Sequence, residues 1–250
     1  MNVTMNRYDT NRSGTNTQET ALNTSNVNPA GFGKLFTRPV VGDIYAQPLY
    51  VSALNIPGKG THNVVFLATM HNNVYAFDAD DPAQSAPLWQ TNLGPSFPTD
   101  DTDIWNGEVG VLGTPVIDLQ SSTLYLVSMN LGGNVGGYRL PMHMIHALDL
   151  FTGQEKFFGP TVIRVSVPGI GDASVNGELI FDSKQHLQRP GLVMANGRVF
   201  AAFGSVQNRD PYHGWLIGFT ADDLSRPPVI WNTTPNAKKG GIWQAGTAPV

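Results

Sequence analysis

The chain has no cysteine. That excludes disulfides, thiolate metal sites and a cysteine nucleophile. Charge is scarce: 14% of 250 residues, with a net charge of −4 and no basic block. A nucleic-acid partner or an anionic membrane surface is therefore not expected. No apolar run approaches the roughly 18–20 residues that span a membrane. P-loop, HExxH and G-x-S-x-G motifs are missing. The glycine-rich LGGNVGG at Leu131–Gly137 follows a strand pattern with no helix opening after it, a poor dinucleotide site.

What the chain does have is a repeated meander. Between Gln47 and Gly94 it reads QPLYV, NVVFLATM, NVYAFDA and PLWQTNLG. Each run is short, bounded by turn residues, and rich in β-branched and aromatic side chains that suit a pleated, half-buried surface. The pattern returns as GTPVIDL, TLYLVSMN, HMIHALDL and EKFFG (Gly113–Gly159), then as RPGLVMA, RVFAAFG, GWLIGFTA and PPVIWNTT (Arg189–Thr234). A fourth copy opens with GTAPV at Gly246. Tyr75, His146 and Ile217 hold the same place in the third run and are each 71 residues apart. Four strands per repeat predict an all-β fold built as a β-propeller fragment of four-stranded antiparallel blades. The expected blades cover about 46–94, 112–160 and 188–234, with the next starting at 246.

Proline opens each copy, at Pro48, Pro115, Pro190 and Pro249. Proline cannot donate to a ladder and suits an edge strand or a strand's first residue. The innermost strand of a blade is such an edge, so Gln47, Thr114, Arg189 and Ala248 are expected near one axis. Residues 1–33 read as a polar arm, with a short helical turn near Thr20–Val27. Phe32–Val40 reads as an outer strand that would fasten a further blade. Long connections at Pro95–Leu112, Leu131–Pro141, Val165–Gln188, Ser205–His213 and Pro235–Ala245 predict one elaborated face.

The segments AFDADDPAQSAPLWQ and ALDLFTGQEKFF resemble the repeat of pyrroloquinoline quinone-type propellers, within the quinoprotein alcohol dehydrogenase-like superfamily. That repeat has an Asp, a Thr-Gly turn and a bulky aromatic that packs between blades. Asp78 and Asp149 match the acid, with Thr220 a departure, and Trp89, Phe157 and Trp231 match the aromatic. The opening arm, with RSGTN at Arg12–Asn16, resembles the start of quinoprotein dehydrogenase chains. The resemblance implies the fold strongly and an activity weakly. As an enzyme of this family the chain would use pyrroloquinoline quinone and calcium on a sugar or alcohol.

Several residues are candidates for chemistry. Asp101, Asp103 and Glu108 sit in one acidic loop that could hold calcium, which takes several oxygen ligands; a solvated loop is the plain alternative. Glu108 and His213 are candidate catalytic groups, His213 because imidazole titrates near neutrality. Trp105, Arg189 and Trp243 are candidate ligand contacts. The two indoles would form a platform, and Arg189 would meet an anion or pair with Glu108. Glu108 and Glu178 would be the carboxylates of a glycosidase. His143 and His146 are three apart on a strand, so they face opposite ways and cannot share a metal. The favoured expectation is a non-catalytic scaffold for a protein or carbohydrate on the looped face. It is expected outside the cytoplasm, extracellular or periplasmic, from the low charge and the abundant glycine and proline. The alternative is the quinone- and calcium-dependent dehydrogenase.

Overall fold

The computed structural model of the chain describes residues 1–99, 107–135 and 138–250. Its secondary structure is all β, with no helix among the described residues. It follows that no helix there is long and apolar enough to cross a membrane. The first sheet is an antiparallel meander of β1 (Leu49–Ile56), β2 (Gly60–Ala68), β3 (Asn73–Asp78) and β4 (Trp89–Asn92). A two-stranded ribbon follows, β5 (Phe97–Pro98) with β6 (Glu108–Val109). The second sheet holds β7 (Val116–Asp118), β8 (Thr123–Val135), β9 (Tyr138–Asp149) and β10 (Thr161–Val162). A second ribbon pairs β11 (Ser166–Pro168) with β12 (Glu178–Ile180). The third sheet comprises β13 (His186–Leu187), β14 (Val193–Ala195), β15 (Arg198–Ser205), β16 (Trp215–Thr220) and β17 (Val229–Asn232).

The sheets pack face to face, and period-two alternation decides which residue serves which neighbour. From the second sheet, Ile117, Leu124, Leu126 and Leu148 join a core with Leu49, Val64, Phe66 and Ala76 of the first. Their strand neighbours Val116, Tyr125, Val127, Ile145 and Ala147 turn the other way, into a core with Val199, Ala201, Phe203, Trp215 and Ile217 of the third. The middle sheet is thus buried on both faces. One-residue slips there would send every apolar side chain to the wrong core.

Local chemistry sets the turns. Asp78 Oδ1 accepts from the backbone N–H of Asp80 and of Asp81, both at 2.8 Å. Asp149 Oδ1 does the same for Phe151 and Thr152, at 3.0 Å each. Asn196 and Gly197 both have positive φ (51° and 70°) and join β14 to β15, as a two-residue hairpin turn requires. Trp89 lies between the first two sheets, with its indole N–H bonded to Leu150 O at 2.9 Å. Its ring lies over Gly153 of the Thr-Gly turn, where a Cβ would come within 2.5 Å. Trp231, its counterpart on the third sheet, is 57% exposed.

Three segments depart from the sequence reading and one agrees with it. Phe32–Val40 forms no strand; part of it lies over the first sheet, with Val41 N–H donating to Tyr75 Oη at 3.1 Å and Arg38 donating to Asp78 O and Asp81 O. Near Thr20–Val27 the expected single turn is present, closed by Val27 N–H to Asn23 O at 3.0 Å. Leu131–Pro141, expected as a loop, largely continues the β8–β9 hairpin, because its backbone pairs as far as Val135 with Tyr138. Glu155–Gly159 begins the fourth run of the second sheet with a single bridge from Glu155 to Leu148; Phe157 and Phe158 then take left-handed φ (52° and 58°) and break the ladder before β10.

Candidate functional site

The residues that precede the recurrent prolines do come together. Gln47 N–H donates to Thr114 Oγ1 at 3.0 Å, joining the heads of the first and second repeats. Leu192 N–H donates to Thr114 O at 2.9 Å, joining the second and third. Gly191 N–H donates to Thr247 O at 2.7 Å, joining the third repeat to the GTAPV segment, in which Ala248 is fully buried. Around these heads lies a cleft of ≈ 280 Å³ lined by Asn6, Tyr45, Gln47, Leu112, Thr114 and Arg189, with Ala245 and Gly246. Burial lowers the Arg189 pKa from the usual guanidinium value. Among the described residues the other polar linings are amides, a hydroxyl and a phenol.

The N-terminal arm supplies a part of this centre that the sequence reading did not foresee. Val3 and Tyr50 exchange both backbone hydrogen bonds at 2.8 Å. Ile117 N–H donates to Thr4 O at 2.7 Å from the other side. Asn6 Nδ2 donates to Thr114 Oγ1 at 3.3 Å, and Arg7 Nε to Gly246 O at 3.2 Å. The only sequence signal was indirect, the apolar Val3 and Met5 alternating with Asn2, Thr4 and Asn6.

Glu108 stands apart from the cleft, on β6, and is half-exposed. Its Oε2 accepts from Ser96 Oγ and lies 3.7 Å from His71 Nε2. Glu108 therefore lies against Ser96 and His71, where a pair with Arg189 was expected. Glu178 is on β12, a different ribbon, so the two carboxylates do not form the expected pair. Asp101, Asp103 and Trp105 lie outside the described residues.

His213 is buried, and both ring nitrogens are engaged: Nε2 with Asp172 O at 2.8 Å and Nδ1 with Thr234 Oγ1 at 2.9 Å. A carbonyl can only accept, so Nε2 carries a hydrogen. In this arrangement the ring ties the loops of Asp172 and Thr234 together. Its backbone N–H donates to His186 Nε2 at 3.1 Å, which also accepts from Trp215 Nε1 at 3.2 Å. Burial lowers the His186 pKa. Trp243 is half-buried, edge-on to Tyr212 with ring centroids 6.4 Å apart. It lies against Gly204 and Gly241, a packing role rather than an open platform.

His143 and His146 do face opposite sheets. His143 packs edge-on against Phe181 and Phe203 of the third-repeat side, and burial pushes its pKa down to about 3, with His186 adding to the shift. His146 faces the first sheet, where Ser128 Oγ lies 2.7 Å from its Nε2 and Glu155 Oε1 lies 2.5 Å from its Nδ1. The order Ser–His–Glu matches a hydrolase relay in outline. The hydrogen positions oppose that reading. Asn130 Nδ2 donates to Leu93 O at 2.8 Å, which aims Asn130 Oδ1 at Ser128 Oγ, 2.5 Å away. Ser128 has one hydrogen and gives it to Asn130, so His146 Nε2–H must donate to Ser128 rather than take its proton. Ser128 is also completely buried. The relay is a buried polar clamp within the second sheet, tied to the first repeat through Asn130 and Leu93 O.

Calcium needs several hard oxygen ligands, and no group of three or more His, Asp or Glu side chains suited to a metal occurs among the described residues. The described lining of the cleft, a guanidinium with neutral groups, supplies no carboxylate ligand for calcium. No family model and no curated protein matches the chain.

Proposed function

We propose that the chain is a non-catalytic binding scaffold of β-propeller type, working outside the cytoplasm, that takes a protein or glycan ligand over the face where its long connections gather. What supports the propeller is the serial joining of repeat heads, Gln47 to Thr114, Thr114 to Leu192, and Gly191 to Thr247, with each sheet packed on the next. The observation that carries the binding reading is the cleft at those heads. Its described lining offers amide, hydroxyl, phenol and guanidinium groups. Such a surface suits a polar ligand.

The dehydrogenase alternative loses ground on chemistry. Glu108 is committed to Ser96 and His71, and His213 is committed at both nitrogens. The deciding experiment is a titration of the purified protein with pyrroloquinoline quinone and Ca²⁺, read by visible absorbance and dye-linked oxidation, beside a glycan array and a protein pull-down. The scaffold reading expects no quinone spectrum and a saturable ligand in one of the binding assays. A bound-quinone spectrum with dye reduction would overturn it.

A further inference from the structure

The arm that crosses the repeat heads has the form of a bound peptide. Residues 2–4 add to the edge of β1: Val3 trades two backbone bonds with Tyr50, and Asn2 Oδ1 accepts from Ser52 N–H and Ser52 Oγ, both at 2.8 Å. On its far side Thr4 O accepts from Ile117, so the segment is wedged between the innermost strands of two sheets. This is strand addition, in which main-chain bonds give affinity and side-chain pockets give selectivity. The side-chain anchors follow. Asn6 is buried against Thr114, where a Cβ on Gly191 would come within 2.9 Å of its own Cβ. Arg12 is also buried; its Nε (3.3 Å) and Nη2 (3.0 Å) donate to Pro249 O, and its Nη1 (3.0 Å) to Asn6 O.

The arm also bonds to itself. Asp9 accepts from Ser13 N–H at 3.0 Å, Arg12 N–H donates to Asp9 O at 3.1 Å, and Gly14 N–H to Arg7 O at 3.1 Å. Preorganisation of this kind lowers the ordering cost of binding. Beyond it the tether is different in character: residues 17–35 are exposed throughout. Recognition is concentrated in residues 2–12, and the tether adds reach.

We infer that the heads of the repeats form a peptide-recognition groove whose resident ligand is the chain's own residues 2–12, held non-covalently and exchangeable with the same segment of a second copy. The groove selects an extended backbone in the register of Val3 against Tyr50, an amide side chain at Thr114, and a guanidinium for the carbonyl of Pro249. Exchange between copies through the exposed tether would give strand-swapped dimers.

The test uses the full chain with a protease site placed at Gly31–Gly33 in the exposed tether. After cleavage the arm fragment is expected to co-elute with the body in gel filtration. A labelled synthetic peptide of residues 1–16 is expected to displace it, and the same peptide carrying Arg12→Ala to compete at least about tenfold less well, as for a buried interface arginine. The change is confined to the peptide, so the body's folding is not at issue. Immediate loss of the arm on cleavage would overturn the inference. So would an arm that stays but never exchanges, or a peptide whose competition is indifferent to Arg12.

Discussion

Trp89 and Leu150 meet across the gap between the first two sheets, with the indole N–H 2.9 Å from the carbonyl oxygen. The contact joins residues 61 positions apart and seats the Trp89 ring on the turn that Asp149 caps. A capped turn on one sheet thus becomes the socket for an aromatic from the preceding one.

Truncation at this socket should be costly. Trp89→Ala is expected to lower stability by about 3–5 kcal/mol, the range for emptying a buried large aromatic site. Trp231→Ala, at an exposed counterpart, is expected to stay within about 0.5 kcal/mol. Urea denaturation of the two variants checks the contrast, and equal losses would contradict the packing described.

The Ser128–His146–Glu155 clamp should contribute stability and no chemistry. Ser128→Ala leaves Asn130 Oδ1 and the His146 ring with a lost partner in a dry interface, a cost of roughly 1–3 kcal/mol. A fluorophosphonate probe should leave Ser128 of the native protein unlabelled, as read by peptide mass spectrometry. Stoichiometric labelling at Ser128 would show that the hydroxyl is both reachable and activated.

Acid should weaken the fold through His143. Its folded pKa lies near 3, below the unfolded value of about 6.5. The unfolded chain therefore binds the proton more readily, and stability falls as pH drops from about 6.5 toward 3. The slope from this one group is at most about 1.4 kcal/mol per pH unit. His143→Phe, which suits the aromatic surroundings, should flatten the acid limb of a stability–pH curve. An unchanged limb would assign the sensitivity to other groups.

His62 acts with the opposite sign. Its Nδ1 lies 2.6 Å from Asp78 Oδ2 and its Nε2 lies 2.8 Å from Lys59 O, and the hydrogen bond to Asp78 raises its pKa. Its contribution is complete below the unfolded pKa and is lost as pH rises through the raised folded value. Asp78→Asn should remove that alkaline loss and weaken the cap on Asp80 and Asp81. Chemical-shift titration of the His62 ring checks the direction, and a midpoint below the ordinary histidine value would reverse the argument.

Much of the sheet structure was legible because its causes are local. Alternation of apolar residues placed β1–β3, β8, β9, β15 and β16, and Asn196–Gly197 demanded positive φ at a hairpin. The recurrent X-Pro positions pointed to Gln47, Thr114 and Arg189 meeting, because proline is excluded from the middle of a ladder. Candidate chemistry was less legible. Glu108 and His213 have reactive side chains wherever they lie, and only their neighbours, Ser96 and His71 for one, Asp172 and Thr234 for the other, showed that their groups are committed.

By itself, then, the order of residues determined a β meander repeated three times, its capped turns and the aromatic set after each. Those follow from side-chain alternation and backbone conformational preference, which act over a few residues. Tertiary structure alone decided that Arg12 would bond to Pro249, that Val3 would enter the edge of β1, and that Ser128 would face His146 in a closed interface. Contacts between residues as many as 239 positions apart leave no local pattern, because burial and hydrogen-bond partnership exist only once the sheets have packed.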